Sequence, residues 1–337
     1  MTTRILSGIV LFCFFLNQAA WAISESNYSQ HFSLDVVPYF KNPVWVDGEF
    51  SGKAGVPIRY RKLELSSDQE KAALVIIPGR TQPFLQYAEL AYDLKDQGFS
   101  IYFIDPRGQG LSGRMTRDPQ VGYVRHFEDY VDDLDAFMSG VVNKVHHRKT
   151  FVIAHSMGAG IAAYYDELHP GHFNAMTLVS PMIEIQTGGF PRPIAELMVF
   201  FACLFGFGKS YSVGQTSFDA HFPFEQSSTQ SPARFAAEMN VFSEFPQTRL
   251  GGASSRWVKE VFALTSKVQS RASKLAEPIL VLEAGKDTLV TKSGVDQFCK
   301  VAKKCRSVFY PNARHEILFE KDEFRNDALK QIKDFLN

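Results

Sequence analysis

Thr150-Phe-Val-Ile-Ala-His-Ser-Met-Gly-Ala-Gly160 runs from an apolar, β-branched stretch into small residues around a serine. A helical spacing of apolar residues, Ile161, Ala162, Tyr165 and Leu168, follows at once. Strand, sharp turn and helix in this order is the setting that lifts a serine hydroxyl above the C-terminal edge of a sheet. Such a turn needs small residues two positions before and two after the serine, and these are Ala154 and Gly158. The bland alternative is a helix capped by Ser156 after an ordinary buried strand. The rest of the chain has to decide.

On either side of this stretch, apolar runs alternate with helical patterns. Ala73–Ile77 is a continuous apolar run of the kind buried on both faces, followed by a helical spacing, and Phe99–Ile104 is the next strand, ending in a glycine-dense loop. Ala175–Val179 is another, broken by Ser180-Pro181. A hairpin is expected from Glu49 to Leu65. Between about 182 and 253 the rhythm stops, and eleven phenylalanines stand among glycines and prolines. It resumes with a helix near 256–270, a strand at 278–283, a helix at 291–301, a strand at 306–310 and a helix at 323–335. The alternation implies an α/β fold with a mostly parallel sheet, helices on both faces and an inserted cap over about 182–253. Residues 49–337 form that unit, behind an N-terminal arm at 23–48 with no clear period.

The chain has 337 residues, 45% of them hydrophobic, which is ample for one large core. Its formal net charge is zero and it has no long basic run, so nucleic acid is not expected as a partner. Residues 1–22 read as a signal peptide: Arg4, an apolar run from Ile5 to Leu16, and Ala20-Trp21-Ala22 as the cleavage signal. An exported, periplasmic or secreted protein is expected, an uncleaved inner-membrane anchor being the alternative. Export permits disulfides. Cys299 and Cys305, six apart, are the expected pair, with two separate thiols as the alternative. Cys203, among phenylalanines, reads as a small buried hydrophobe.

An activated serine needs a base, and the base needs a carboxylate to orient it. Asp287 follows the strand at 278–283, and His315 follows the strand at 306–310. Serine, then acid, then histidine is the chain order of this fold's triads, each member at a strand's C-terminal end. Singly, Asp287 could be a helix N-cap and His315 a loop histidine. Jointly, with Ser156, they point to nucleophilic catalysis. The oxyanion hole is expected from the backbone N–H groups of Met157 and Arg80. For the Arg80 side chain, solvation and contact with a phosphate are the alternatives. The glycine-dense loop Asp105–Gly113 lacks a dinucleotide or P-loop spacing and is read as loop geometry. His146, His147, His169 and His172 lack a third ligand and are read as surface histidines; no metal is expected.

Pro78-Gly-Arg-Thr-Gln82 with Tyr87-Ala-Glu-Leu, Asp105-Pro-Arg-Gly-Gln-Gly-Leu-Ser, Ala154-His-Ser-Met-Gly, Gly285-Lys-Asp and His315-Glu resemble the bacterial lysophospholipase and monoacylglycerol-lipase-like group of serine hydrolases. The resemblance spans about Phe50 to Phe335 and includes Arg249–Trp257. It implies the α/β-hydrolase fold and cleavage of the acyl ester of lysophospholipids, without metal or cofactor, with acyl transfer in some members. Monoacylglycerol lipase or broad carboxylesterase activity is the first alternative, and a non-catalytic lipid-binding protein the alternative of another class. Pro78-Gly79, where monoacylglycerol lipases have His-Gly, favours the lysophospholipase branch. An apolar cap suits an acyl chain, each buried CH₂ contributing ~0.8 kcal/mol, and gives the protein a surface for peripheral membrane contact.

Overall fold

The computed structural model describes residues 22–337; the leader read over 1–22 lies, but for its last residue, outside the described residues. Eight strands form one sheet: β1 (Val46–Ser51), β2 (Pro57–Leu63), β3 (Ala72–Ile77), β4 (Phe99–Ile104), β5 (Thr150–His155), β6 (Ala175–Val179), β7 (Ile279–Ala284) and β8 (Cys305–Tyr310). Their order is β1-β2-β4-β3-β5-β6-β7-β8. β2 pairs antiparallel with β1 and β4, and every later pairing is parallel. Five of the six central strands, β3 to β7, are buried at every position, which explains their largely apolar sequences.

Helices cover both faces. Beyond the N-terminal turns α1 (Tyr28–His31) and α2 (Val37–Phe40), they are α3 (Ala88–Asp93), α4 (Glu128–Gly140), α5 (Met157–Leu168), α6 (Arg192–Leu204), α7 (Pro232–Glu244), α8 (Ser255–Arg271), α9 (Lys292–Val301) and α10 (Asp322–Leu336). One core lies between the sheet and α4, α5, α8 and α9. A second lies on the opposite face under α3, α10 and the N-terminal segment.

The arm expected to be irregular is helical. α1 and α2 are joined through a π-helical segment, Phe32–Val36. Tyr28, Val36 and Phe40 are buried, and Phe32 packs beside them. A spacing of four drifts around a straight α-helix of 3.6 residues per turn, and the wider π turn brings it back to one face. A pattern sought at 3.6 passes it by.

The segment between β6 and α8 holds two helices with different neighbours. α6 packs against α8, over the C-terminal edge of the sheet, whereas α7 packs on the turn before α3 and on α1. Only part of the expected cap therefore stands over the sheet edge. Six of its eleven phenylalanines, moreover, are exposed: Phe190, Phe200, Phe201, Phe205, Phe207 and Phe222.

Cys299, in α9, and Cys305, opening β8, are bridged, with Cα atoms 5.1 Å apart. The histidines read as surface residues divide. The His147 side chain is buried, with Nδ1 2.8 Å from Glu70 Oε1 and the Tyr102 hydroxyl 3.1 Å from Nε2. His146 is exposed, and His169 stacks on Tyr165. Among the described residues, no group of three His, Cys, Asp or Glu could hold a metal ion. No described helix is long and apolar enough to cross a membrane.

Candidate active site

The elbow is a sharp turn at the end of β5 in which Ser156 holds a strained backbone conformation. Ser156 has φ 49° and ψ −113°, and its side chain makes no cap to α5, which removes the N-cap alternative. Gly158 faces the backbone after β3: a Cβ there would stand 2.6 Å from the Pro78 carbonyl oxygen. Of four non-glycine residues with positive φ among the described residues, Thr81, Ser156 and Ser180 follow β3, β5 and β6 respectively. Strain of this kind, of order 1–3 kcal/mol per residue, persists where surrounding structure over-determines it.

Asp287 and His315 leave the ends of β7 and β8 and meet: Nδ1 of His315 donates to Asp287 Oδ2 at 2.6 Å, with both side chains buried. Burial pushes the Asp287 carboxyl up. The hydrogen bond and charge of His315, with the N–H groups of Val290 and Leu289, outweigh burial and hold it below the usual value. Asp287 thus does accept from a turn N–H, as the N-cap alternative had it, while its other oxygen holds the histidine.

Ser156, His155 and His315 line one cavity of about 580 Å³, within the range of small-molecule sites. Its apolar wall comes from Ile185, Phe190, Met198, Val199 and Val213 of the cap segment, and from Trp257 and Phe262 of α8. Among the described residues, no protein acceptor takes the Met157 or Arg80 N–H. As the first residue of α5, Met157 has an N–H that lies outside the helix ladder.

A layer of hydrogen bonds beneath the cavity was hidden in the sequence. Gln82 Oε1 accepts from the Tyr87 hydroxyl at 2.7 Å and the Gly79 N–H at 3.2 Å, and lies 2.8 Å from His155 Nδ1. Gln82 Nε2 donates to Glu316 at 3.1 Å. Burial and then the neighbouring His315 bring the His155 pKa down to about 3, so its ring stays neutral. The Ser180 hydroxyl donates to the His315 carbonyl at 2.6 Å and fixes the histidine loop against β6. Gln82, Tyr87 and His155 stand inside recognisable motifs, but nothing in their spacing announces a shared acceptor. Ser180 carries no signal at all.

The glycine-dense loop is built on ion pairing and buried carboxylate contacts, not on phosphate. Arg107 donates to both oxygens of Asp133, at 2.6 and 2.5 Å. Asp105 accepts from Phe84 and Leu111 N–H groups, and burial lifts its pKa to about 7 against those two bonds. The Arg80 guanidinium is not solvated as the simplest expectation had it. Nη2 donates to the Gly251 carbonyl at 2.6 Å, and the group lies over the Trp257 ring, 5.1 Å from its centroid.

Residues 68–322 match the family described as Serine aminopeptidase, S33 (Hydrolase_4). Lysophospholipase L2 of Escherichia coli (strain K12) is 35% identical over 300 residues, covering 86% of this chain and 87% of that protein. The monoacylglycerol lipase of Mycolicibacterium smegmatis is 23% identical over 278 residues, covering 81% and 91%. A solved monoacylglycerol lipase from Paleococcus ferrophilus shares the fold, with TM-score 0.63 and 18% identity over 87% of this chain and 98% of that one. By these matches, on a mostly parallel sheet with a strained serine turn, the chain belongs to the S33 (Hydrolase_4) family of α/β-hydrolase serine hydrolases, akin to lysophospholipases and monoacylglycerol lipases.

Proposed function

We propose that the protein is a lysophospholipase: a serine esterase that cleaves the single acyl ester of lysophospholipids through an acyl-enzyme. The observation that carries the chemistry is the buried Asp287–His315 pair, held at 2.6 Å on the rim of the cavity that Ser156 enters. With Nδ1 engaged by Asp287, Nε2 of His315 is the base. Ser156 Oγ attacks the ester carbonyl as its proton passes to Nε2, and Asp287 stabilises the imidazolium. The negative charge on the carbonyl oxygen is accepted by the N–H groups of Met157 and Arg80. Collapse breaks the bond to the glycerol oxygen, which leaves as an alcohol with the proton from His315. Water, deprotonated by the same nitrogen, then attacks the acyl-serine and releases the fatty acid; another lipid alcohol in its place gives acyl transfer.

The substrate class rests on the relatives and on the cavity. The E. coli relative is named a lysophospholipase, and an apolar wall with a few polar groups suits one acyl chain. Exposed Leu197, Phe200, Leu204 and Phe205 of α6 and the turn after it suit contact with a lipid surface. The mature, exported chain would begin at Ile23 and meet lipid outside the cytoplasm. A monoacylglycerol lipase is the second reading, favoured by the M. smegmatis relative.

The deciding measurement is fatty-acid release from lysophosphatidylcholine by the mature chain beside its Ser156→Ala variant. Release that disappears in the variant supports both reaction and nucleophile. Cleavage of monoacylglycerol and short p-nitrophenyl esters without lysophosphatidylcholine would replace the proposal with the general esterase. No covalent labelling of the intact protein by a fluorophosphonate would leave a lipid-binding protein instead.

A further inference from the structure

The fully buried arginines are each paired with two carboxylates. Arg107 has Asp129 and Asp133, Arg234 has Glu89 and Asp322, and Arg325 has Glu89 and Asp93. Among the described residues Arg80 has none: the groups acting on its charge are the phenols of Tyr130 and Tyr211. Its Nη2 is held by the Gly251 carbonyl, while its Nε is buried without an acceptor. Burial lowers its pKa to about 10, which leaves it cationic at neutral pH. A partly buried cation without a counter-charge is costly, yet the fold builds it a seat. Trp257 supplies an aromatic face, and Gly122 makes room where any Cβ would strike the guanidinium.

That seat opens on the reacting centre. Arg80 lines the cavity together with Ser156 and His315, and among the described residues it is the one arginine or lysine to do so. The single acid in the lining, Glu316, is engaged by Gln82, and its burial disfavours the charged form. Arg80 also offers its backbone N–H at the position proposed for the oxyanion. Its side chain therefore stands one side-chain length from the scissile ester. In a lysophospholipid the phosphodiester lies one glycerol from that ester; in a monoacylglycerol the corresponding position is a neutral hydroxyl.

Building on the lysophospholipase reading, we propose that the Arg80 guanidinium binds the phosphodiester of the substrate head group and is the residue that separates lysophospholipids from monoacylglycerols. The missing counter-charge arrives with the substrate. Charge-assisted hydrogen bonds from a guanidinium to phosphate are among the stronger contacts available to a site.

The test compares kcat/KM on lysophosphatidylcholine and on monoacylglycerol of the same chain length, for the intact enzyme, Arg80→Met and Arg80→Lys. Any disturbance of the Arg80 main chain affects both substrates and cancels in the ratio. The expected result is a preference for the phospholipid that falls by roughly tenfold or more in Arg80→Met, in line with a charged hydrogen bond, and is partly restored in Arg80→Lys. A second measurement uses the intact enzyme alone. A non-hydrolysable ether analogue of lysophosphatidylcholine should inhibit more strongly than the alkylglycerol of equal chain length, and inorganic phosphate should not compete. Equal losses on both substrates, or equal inhibition by both ethers, would overturn the assignment and leave Arg80 a structural anchor for the Gly251 loop. Competition by inorganic phosphate alone would make this a free-anion site and would also overturn it. Hydrolysis of monoacylglycerol with none of lysophosphatidylcholine by the intact enzyme would overturn the lysophospholipase reading itself, and this proposal with it.

Discussion

At Gly158 the elbow touches the backbone that carries the proposed oxyanion hole. An added methyl there meets the Ile77 and Pro78 carbonyls, which cannot swing aside as a side-chain tip can. Gly158→Ala should therefore destabilise the protein by about 1–3 kcal/mol, as overpacking does. The denaturant midpoint would report it, and hydrolysis should fall further than the loss of folded protein explains. Asp287→Asn tests the partner of His315. It should lower kcat by roughly 10³–10⁴-fold with little change in KM, because the imidazole loses its orienting carboxylate. A loss below tenfold would remove Asp287 from the mechanism. Ser156, Asp287 and His315 could be proposed from the sequence because each follows the C-terminal end of a strand, and strands announce themselves as largely apolar runs. Gln82 and Ser180 could not. Their work is done across 73 and 135 residues of chain, to His155 and His315, and no local pattern encodes such a contact.

Among the elements, the buried strands were legible almost to their ends, since a strand covered on both faces is mostly apolar, with only scattered polar residues such as Ser100 and Thr177. The N-terminal helix was not, because its spacing of four fits a π turn. The cap was legible as an interruption, but its two helices differ in partner, and composition does not say which way a phenylalanine faces. α6 exposes apolar side chains along most of its length and buries Val199 alone. Replacing Leu204 and Phe205, 63% and 70% exposed, by aspartate should weaken co-sedimentation with phospholipid vesicles while hydrolysis of a short soluble ester persists. Unchanged sedimentation would exclude this face as the membrane contact. The Cys299–Cys305 bridge closes a short loop between α9 and β8. Its replacement by two serines should cost roughly 2 kcal/mol on the chain-entropy account, read as a lower melting temperature than that of the oxidised parent.

Across the whole molecule, Arg234 joins regions far apart in sequence. It donates to the Ile23 and Glu320 carbonyls and to the carboxylates of Glu89 and Asp322. Removing one partner from a buried ion pair typically costs about 3–5 kcal/mol, so Arg234→Met should lower the unfolding midpoint more than any surface change. Protons also distinguish the folded state. Burial raises Asp105, and burial with Glu277 raises Asp166, each to a pKa of about 7 from the ordinary 3.8. Between those values the folded chain keeps protons that the unfolded chain has lost, so stability from these groups falls as pH rises toward 7. His155 acts the other way: its pKa drops from 6.5 to about 3, so its contribution rises with pH over that interval. Two carboxyls outweigh one imidazole. The melting temperature should be higher at pH 5.5 than at pH 7.5, and Asp166→Asn, which cannot ionise, should reduce the difference. A melting temperature that climbs steadily over this range would contradict the assignment.

The order of parts along the chain has a temporal meaning. The serine and both proposed oxyanion donors belong to the first half of the sheet; the acid and base follow the cap, at the ends of β7 and β8. A ribosome makes the nucleophile long before it makes anything able to activate it. A chain halted anywhere before His315 holds a serine with no more reactivity than any other alcohol. On the proposed mechanism, ester hydrolysis would thus be the last property this polypeptide acquires, and an unfinished copy could not attack lipid.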